Sequence, residues 1–225
     1  TLLSALIGHP AYEVMGGKVI FCDEDITKFP TEKKAERGIF FAPQHAPKVD
    51  GVTMITFLHH AYRTLKKSEI SVLDFYKMLG TKVKEHGLDE GLLKRFVNVG
   101  FSGGEKKQGE IIQLLALEPS IALLDEIDSG VDVDSLQKVF AVIEALRKKG
   151  TGFLIVTHLS TILEHIAPDC VSVMKNGKIV RTGDATLARE ILKNGFDSAE
   201  SCRARSLGAT KKVVPLKQNP ERRVS

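Results

Sequence analysis

Two stretches of almost unbroken apolar residues, Ile121 to Leu124 and Phe153 to Thr157, break off at polar side chains, Asp125-Glu126 and His158. Ile39 to Ala42 is a third such run and ends at Pro43-Gln44. Strands apolar on both faces need cover on both faces, so they predict a mostly parallel sheet flanked by helices. In such a sheet the carboxyl ends of the strands form the ligand edge. The polar residues that terminate the runs are therefore the first place to look for chemistry.

The rest of the chain fits between these strands. Thr1 to Ile7 predicts a helix closed by Gly8, Lys18 to Cys22 a strand after the Gly16-Gly17 turn, and Thr31 to Arg37 a short helix ended by Gly38. From about Gly51 to Arg95 the strands are expected to stop. Phe57, Leu58, Ala61 and Leu65, then Val72, Phe75, Tyr76 and Leu79, recur near helical spacing and suggest a small helical lobe. Helices are expected again at Glu105 to Leu117 and near Ser135 to Lys149. A hairpin follows, Val171 to Met174 and Lys178 to Arg181, turning at Asn176-Gly177. The core is expected to finish near Gly183, with a terminal helix to about Lys193.

Composition sets the outer limits. At 225 residues, 43% hydrophobic and 27% charged, the chain can bury one sizeable core and a smaller lobe. No stretch approaches the ~18 to 20 apolar residues needed to cross a bilayer, and the start lacks the zones of a secretory signal, so the cytoplasm (or plastid stroma in a eukaryote) is expected. Cys22, Cys170 and Cys202 are odd in number and far apart, which gives neither a disulfide framework nor a metal knuckle. Residues 201–225 hold seven Lys/Arg against the single acid Glu221, a tail of +6 on a body of −2. That tail is expected to be disordered, and no function is assigned to it.

The chemistry points to nucleotide hydrolysis. Phe101-Ser102-Gly103-Gly104-Glu105 is a glycine-rich turn opening a helix, and a helix start attracts phosphate. Asp125, at the end of a buried strand, is placed to hold Mg²⁺ through water, and Glu126 to orient or deprotonate an attacking water, a role worth about 10² to 10⁴ in rate. His158 is placed to contact a γ-phosphate. Gln44 offers an amide that senses metal and water together. Taken singly these are ordinary features: acids such as Asp125, Glu126, Asp128, Asp132 and Asp134 form a solvated face more often than a site, and Ser-Gly-Gly alone is weak. What chance does not readily supply is the ordered set of Gln44, Ser102-Gly103-Gly104, Asp125-Glu126, Ser129-Gly130-x-Asp132 and His158, each at an element boundary.

That set closely resembles the nucleotide-binding domain of the ABC ATPases, with its Q-loop, Ser-Gly-Gly signature, Walker B strand, D-loop and H-loop. The resemblance runs from Thr1 to about Lys193. It implies a P-loop NTPase-like α/β fold: a RecA-like ATPase core at 1–50 and 96–193, a helical subdomain at 51–95, and a basic tail at 194–225. The implied roles are Gln44 and Asp125 for Mg²⁺, Glu126 as base, His158 for the γ-phosphate and Asp132 for the dimer contact. The implied ligands are ATP and Mg²⁺. Ser102, Gly103 and Gly104 would bind ATP held by a second copy, so that ATP joins a transient dimer. Asn98 to Lys107 and Asp128 to Asp134 look most like the SufC branch, the ATPases of SUF iron-sulfur cluster assembly. That likeness implies SufB and SufD scaffold partners and no cluster ligand on this chain.

The phosphate loop Gly-x-x-x-x-Gly-Lys-Ser/Thr is not in the sequence. Gly17-Lys18 and Gly177-Lys178 are decoys, followed by Val19 and Ile179 where a hydroxyl should bind the metal. The expectation is an ATPase lacking its front end, with weak or no ATP binding as written, and with Thr1 reaching the α-phosphate in a complete protein. Gly109 also stands out, since a glycine inside a helix costs about 1 kcal/mol relative to alanine. Two other readings stay open: an ABC transporter ATP-binding subunit, and a truncated non-catalytic chain that grips a scaffold.

Overall fold

The computed structural model describes residues 2–158 and 162–194. The fold is α/β, and the chain divides into two compact units between Val156 and Thr157. Thr1, Cys202 and the basic tail lie outside the described residues.

The first unit is built on a three-stranded parallel sheet. Strand β3 (Ile39–Ala42) pairs with β6 (Ile121–Asp125), and β6 pairs with β7 (Gly152–Val156), so β6 is central. Ala42 lies opposite Leu124, and Asp125 opposite Val156. The three predicted apolar runs thus end at one edge because all three run parallel. β6 is covered as expected, with Ala122, Leu123 and Leu124 buried, whereas β7 is only partly covered and Leu154 is exposed, a departure from strands covered on both faces. Helix α1 (Leu2–Ile7) covers one face, where Leu3, Ile7, Ile26, Ile39 and Leu123 form a buried cluster. Lys34, on α2 (Thr31–Glu36), is fully buried there and donates from Nζ to the Leu6 carbonyl at 2.9 Å. Its desolvation pulls the ammonium pKa down.

Helix α5 (Gly103–Leu117) packs against α6 (Val133–Lys148), α3 (Met54–Lys66) and α4 (Val72–Glu85). Ile111, Ile112, Leu114, Leu115 and Ala116 are buried, so this helix is apolar nearly all round towards its carboxyl end. Gly109 is explained by that packing. A Cβ there would meet Met54 Cε at 3.3 Å and the Phe101 ring at 3.5 Å, so the close approach of α3 and α5 offsets the lost helix propensity. The lobe helices start at hydroxyl caps, Thr53 for α3 and Ser71 for α4. Phe75, Leu79 and Val83 form the buried stripe of α4 at a spacing of four.

Glu118, in a left-handed conformation at the end of α5, gathers three lysines. Lys82 and Lys149 reach its carboxylate at 2.9 and 3.2 Å, and Lys66 reaches its carbonyl at 3.1 Å. Burial pushes the Glu118 pKa up, but Lys82 and then Lys149 outweigh it, and the net direction is down.

Three local expectations needed correction. Strand β1 is only Ile20–Phe21, in a hairpin with β2 (Glu24–Asp25) whose turn residues, Cys22 and Asp23, both have positive φ. Strands do not stop at Gly51 either. β4 (Val49–Thr53) pairs antiparallel with β5 (Phe96–Val97) across the lobe, Val97 being buried within this ladder and Met54 just beyond its end. Helices α5 and α6 begin two residues earlier than expected, at Gly103 and Val133, since Ser102 and Asp132 act as caps.

The second unit contains α7 (Ile162–His165), which the sequence reading did not anticipate. It also holds the hairpin β8 (Val171–Lys175) and β9 (Lys178–Gly183), and α8 (Ala185–Asn194). Asn176 and Gly177 have φ of 50° and 73°, the left-handed pair a two-residue turn needs. Val173, Leu187 and Ile191 form its buried cluster.

Candidate functional site

At the end of β6 the backbone turns sharply. Glu126 has a φ of 51°, a left-handed conformation costing a residue with a Cβ about 1–2 kcal/mol. Its N–H donates to the Val156 carbonyl at 2.8 Å, and its carbonyl accepts from Ser129 N–H at 3.1 Å. The turn carries the Glu126 carboxylate towards β3, where the Gln44 amide Nε2 donates to Glu126 Oε2 at 2.5 Å. This contact spans 82 residues of sequence and follows from the parallel register, since Gln44 and Glu126 each lie two positions beyond the paired Ala42 and Leu124.

Asp125 is the last residue of β6 and is half-buried. With its nitrogen spent on Glu126, Gln44 has its amide oxygen for other partners. Asp125 and Gln44 therefore offer oxygen donors of the hard kind that Mg²⁺ accepts alongside water and phosphate. Among the described residues, no three His, Cys, Asp or Glu side chains cluster as a metal cage.

The second element is the start of α5. Ser102 caps the helix: its side chain accepts from Glu105 N–H at 3.2 Å, and its own N–H donates to Glu105 Oε2 at 2.7 Å, a full capping box. The Ser102 N–H is thus taken by Glu105, leaving Gly103 and Gly104 to supply the first-turn donors of the cradle. The Ser102 backbone bond, then Arg95, holds the Glu105 pKa below its ordinary value.

Gly103 is required by close approach, since a Cβ there would stand 2.9 Å from the Gly130 carbonyl oxygen. A Cβ on Gly104 would lie 3.3 Å from Asp132 Oδ2. Asp132 caps α6, accepting from Ser135 N–H at 2.9 Å, and this bond lowers its pKa. The signature turn and the Ser129 to Asp132 turn therefore pack as one piece. A pocket of about 210 Å³ brings Gln44 and His45 together with Gly103, Lys106, Lys107 and Gly130. In its wall Lys107 and Glu110 form a buried ion pair at 3.1 Å, and burial pushes the Glu110 pKa up.

The structure thus brings Gln44 to Glu126, and Ser102 to Gly104 against Gly130 and Asp132. His158 is exposed, two residues past the end of β7, and belongs to the second unit. Thr1 lies outside the described residues. Sequence reasoning missed Arg95, Glu105 and Asn98. Arg95 lies over the Phe101 ring and bonds Glu105 and the Gly100 carbonyl. Asn98, buried with a φ of 59°, donates to the Pro47 carbonyl at 2.8 Å. Only the capping spacing Ser-x-x-Glu at 102 to 105 carried a readable signal for any of these.

No protein-family model matches the chain. A probable ATP-dependent transporter (ycf16) of Cyanophora paradoxa is 40% identical over 201 residues, covering 88% of this chain and 78% of that protein. A probable ABC transporter ATP-binding protein of Streptococcus pyogenes serotype M3 is 42% identical over 198 residues, covering 87% and 77%. Vegetative protein 296 of Bacillus subtilis is 39% identical, covering 88% and 76%. Among solved structures, a nucleotide-free ATP-binding cassette of an ABC transporter matches with a TM-score of 0.68 at 22% identity, covering 91% of this chain and 83% of that one. A dimeric cassette in a post-hydrolysis state with ADP and Pi matches with a TM-score of 0.63 at 17% identity, covering 78% and 76%. The chain belongs to the family of ABC ATPases.

Proposed function

From this family membership we propose that the protein is an ATP-binding and ATP-hydrolysing subunit whose two composite sites form when two copies face each other across ATP. The observation that carries this reading is the Gln44 to Glu126 contact at the carboxyl edge of adjacent parallel strands, beside a capped glycine turn. In this reading Glu126 takes a proton from water as the water oxygen bonds to the γ-phosphorus. The bond to the bridging oxygen of ADP breaks, leaving ADP and phosphate. Gln44 holds the Glu126 carboxylate in place, and His158 contacts the γ-phosphate. Asp125 and Gln44 would hold Mg²⁺, which would supply charge neutralisation to the triphosphate. Ser102, Gly103 and Gly104 receive the phosphates of ATP held by the other copy, with Asp132 at the contact between copies and Thr1 near the α-phosphate.

Two readings of what the ATPase drives have separate support. The names of the relatives favour an ABC transporter, whose membrane permease would be the partner. The blocks Asn98 to Lys107 and Asp128 to Asp134 favour SUF iron-sulfur cluster assembly in the cytoplasm or plastid stroma, with SufB and SufD scaffolds. Affinity isolation of the native protein separates them: a multispanning membrane protein in stoichiometric amount supports the first, a SufB–SufD pair the second. No helix among the described residues is long and apolar enough to cross a membrane itself.

The trans arrangement is tested with Ser102→Arg. A bulky cation at the cradle should abolish ATP-dependent dimerisation of the native protein, measured by light scattering. Dimerisation at the wild-type ATP concentration would refute the shared site.

A further inference from the structure

We propose that Arg95 is the positioning residue for the phosphate cradle, acting from the lobe side on a turn that it does not belong to. This rests on the reading of Ser102 to Gly104 as that cradle. Arg95 follows the 3-10 turn Glu90–Lys94, immediately before β5, and its carbonyl accepts from Met54 N–H at 2.9 Å. Its backbone is therefore fixed to the start of α3, and its side chain reaches away from that anchor to the signature turn.

Three contacts converge there. The guanidinium carbon lies 4.4 Å from the Phe101 ring centroid, a stacking distance. One terminal nitrogen donates to Glu105 Oε1 at 2.5 Å, and the other donates to the Gly100 carbonyl at 3.0 Å. The opposite oxygen of the same Glu105 carboxylate accepts the Ser102 N–H. One planar cation thus fixes the residue before the turn, the ring at its entrance and the carboxylate that closes its cap. Gly100 has a φ of +67°, so the carbonyl that Arg95 holds belongs to the residue where the chain bends into the turn.

The geometry needs arginine specifically. A lysine supplies one compact charge, without the plane that stacks or the fork that serves two acceptors at once. The side chain is about 39% exposed, so screening weakens its charge contribution. The expected role is to hold a shape. Loss of Arg95 leaves Glu105 able to cap Ser102, but with its carboxylate and the Gly100 bend no longer tied to each other.

The test is site-resolved amide hydrogen exchange by NMR on this chain, comparing wild type with Arg95→Ala and Arg95→Lys. Loss of charge-assisted bonds of this kind is expected to speed exchange at Ser102 about five- to tenfold in Arg95→Ala, with little recovery in Arg95→Lys. Exchange in β6 and α6 should stay within about twofold of wild type, as for a local effect. Unchanged protection at Ser102, full recovery with lysine, or equal loosening throughout the first unit would each overturn the proposal.

A second measurement uses the native protein with ATP. Arg95→Ala should raise the ATP concentration for half-maximal dimerisation about five- to tenfold while leaving the affinity of a single subunit for ATP unchanged. A purely structural defect would weaken both, and equal weakening counts against positioning. If the wild-type protein itself fails to dimerise with ATP, the trans reading of the cradle fails, while the exchange result still decides the role of Arg95.

Discussion

At the start of α5 the chain is held from several directions: Glu105 and Ser102 cap each other, Arg95 grips from the lobe, and the Gly130 carbonyl presses against Gly103. At the end of β6 the hold on Glu126 is of another kind, through its own N–H to Val156 and an amide from Gln44. In the proposed reading the first region would present a preformed shape to an incoming phosphate. The second would hold the carboxylate of its base through a side-chain contact to Gln44. Preorganised donors need no rearrangement when charge arrives, whereas a base must be able to take up and pass on a proton.

The difference can be attacked first at Glu126. Glu126→Gln should keep the contact with Gln44 and leave ATP-dependent dimerisation intact, while steady-state turnover of the native protein falls at least ~10²-fold, as loss of a general base implies. Turnover within a few-fold of wild type would remove Glu126 from that role and make the edge as passive as the cradle.

Gly103→Ala probes the other side. With a Cβ placed 2.9 Å from a backbone oxygen, the two turns must separate, and overpacking of this kind costs about 1–3 kcal/mol. Urea denaturation should read that loss. A stability within about 0.5 kcal/mol of wild type, the range of ordinary surface substitutions, would mean that the cradle yields.

The smallest effect is in the acid limb. Glu105 has its folded pKa below the ordinary 4.5, so its stabilising contribution is present above 4.5 and is lost as pH falls through the lower folded value. Glu105→Gln should flatten that part of the stability profile. An unaltered acid limb would show that the cap does not respond to the charge of Glu105.

How far the sequence foretold this site depends on the range of the interaction. Gln44, Asp125 and the strand ends were legible because an apolar run that stops abruptly marks the edge of a covered sheet. Ser102 and Asp132 were read as parts of a phosphate turn and a dimer contact and not as caps, which is why both helices start sooner than expected. The β4–β5 ladder was not, since a five-residue strand containing Gly51 and a two-residue strand 43 positions further on give no periodicity to detect. Arg95 was unreadable for a related reason. Its stacking on Phe101 depends on how β5 leaves the lobe, and nothing in the spacing of the two residues states that.

Glu118 sits at the other end of the same helix. It fastens Lys66 of α3, Lys82 of α4 and Lys149 after α6 at one point. A helix of 15 residues is about 22 Å long, so a tilt with its fulcrum at Glu118 would displace the far tip at Ser102 most. A tilt of about 10° at that fulcrum would sweep the tip through roughly 4 Å, more than the length of a hydrogen bond. A small rotation of the lobe about that point would in this way be largest where, on the proposed reading, a triphosphate is met.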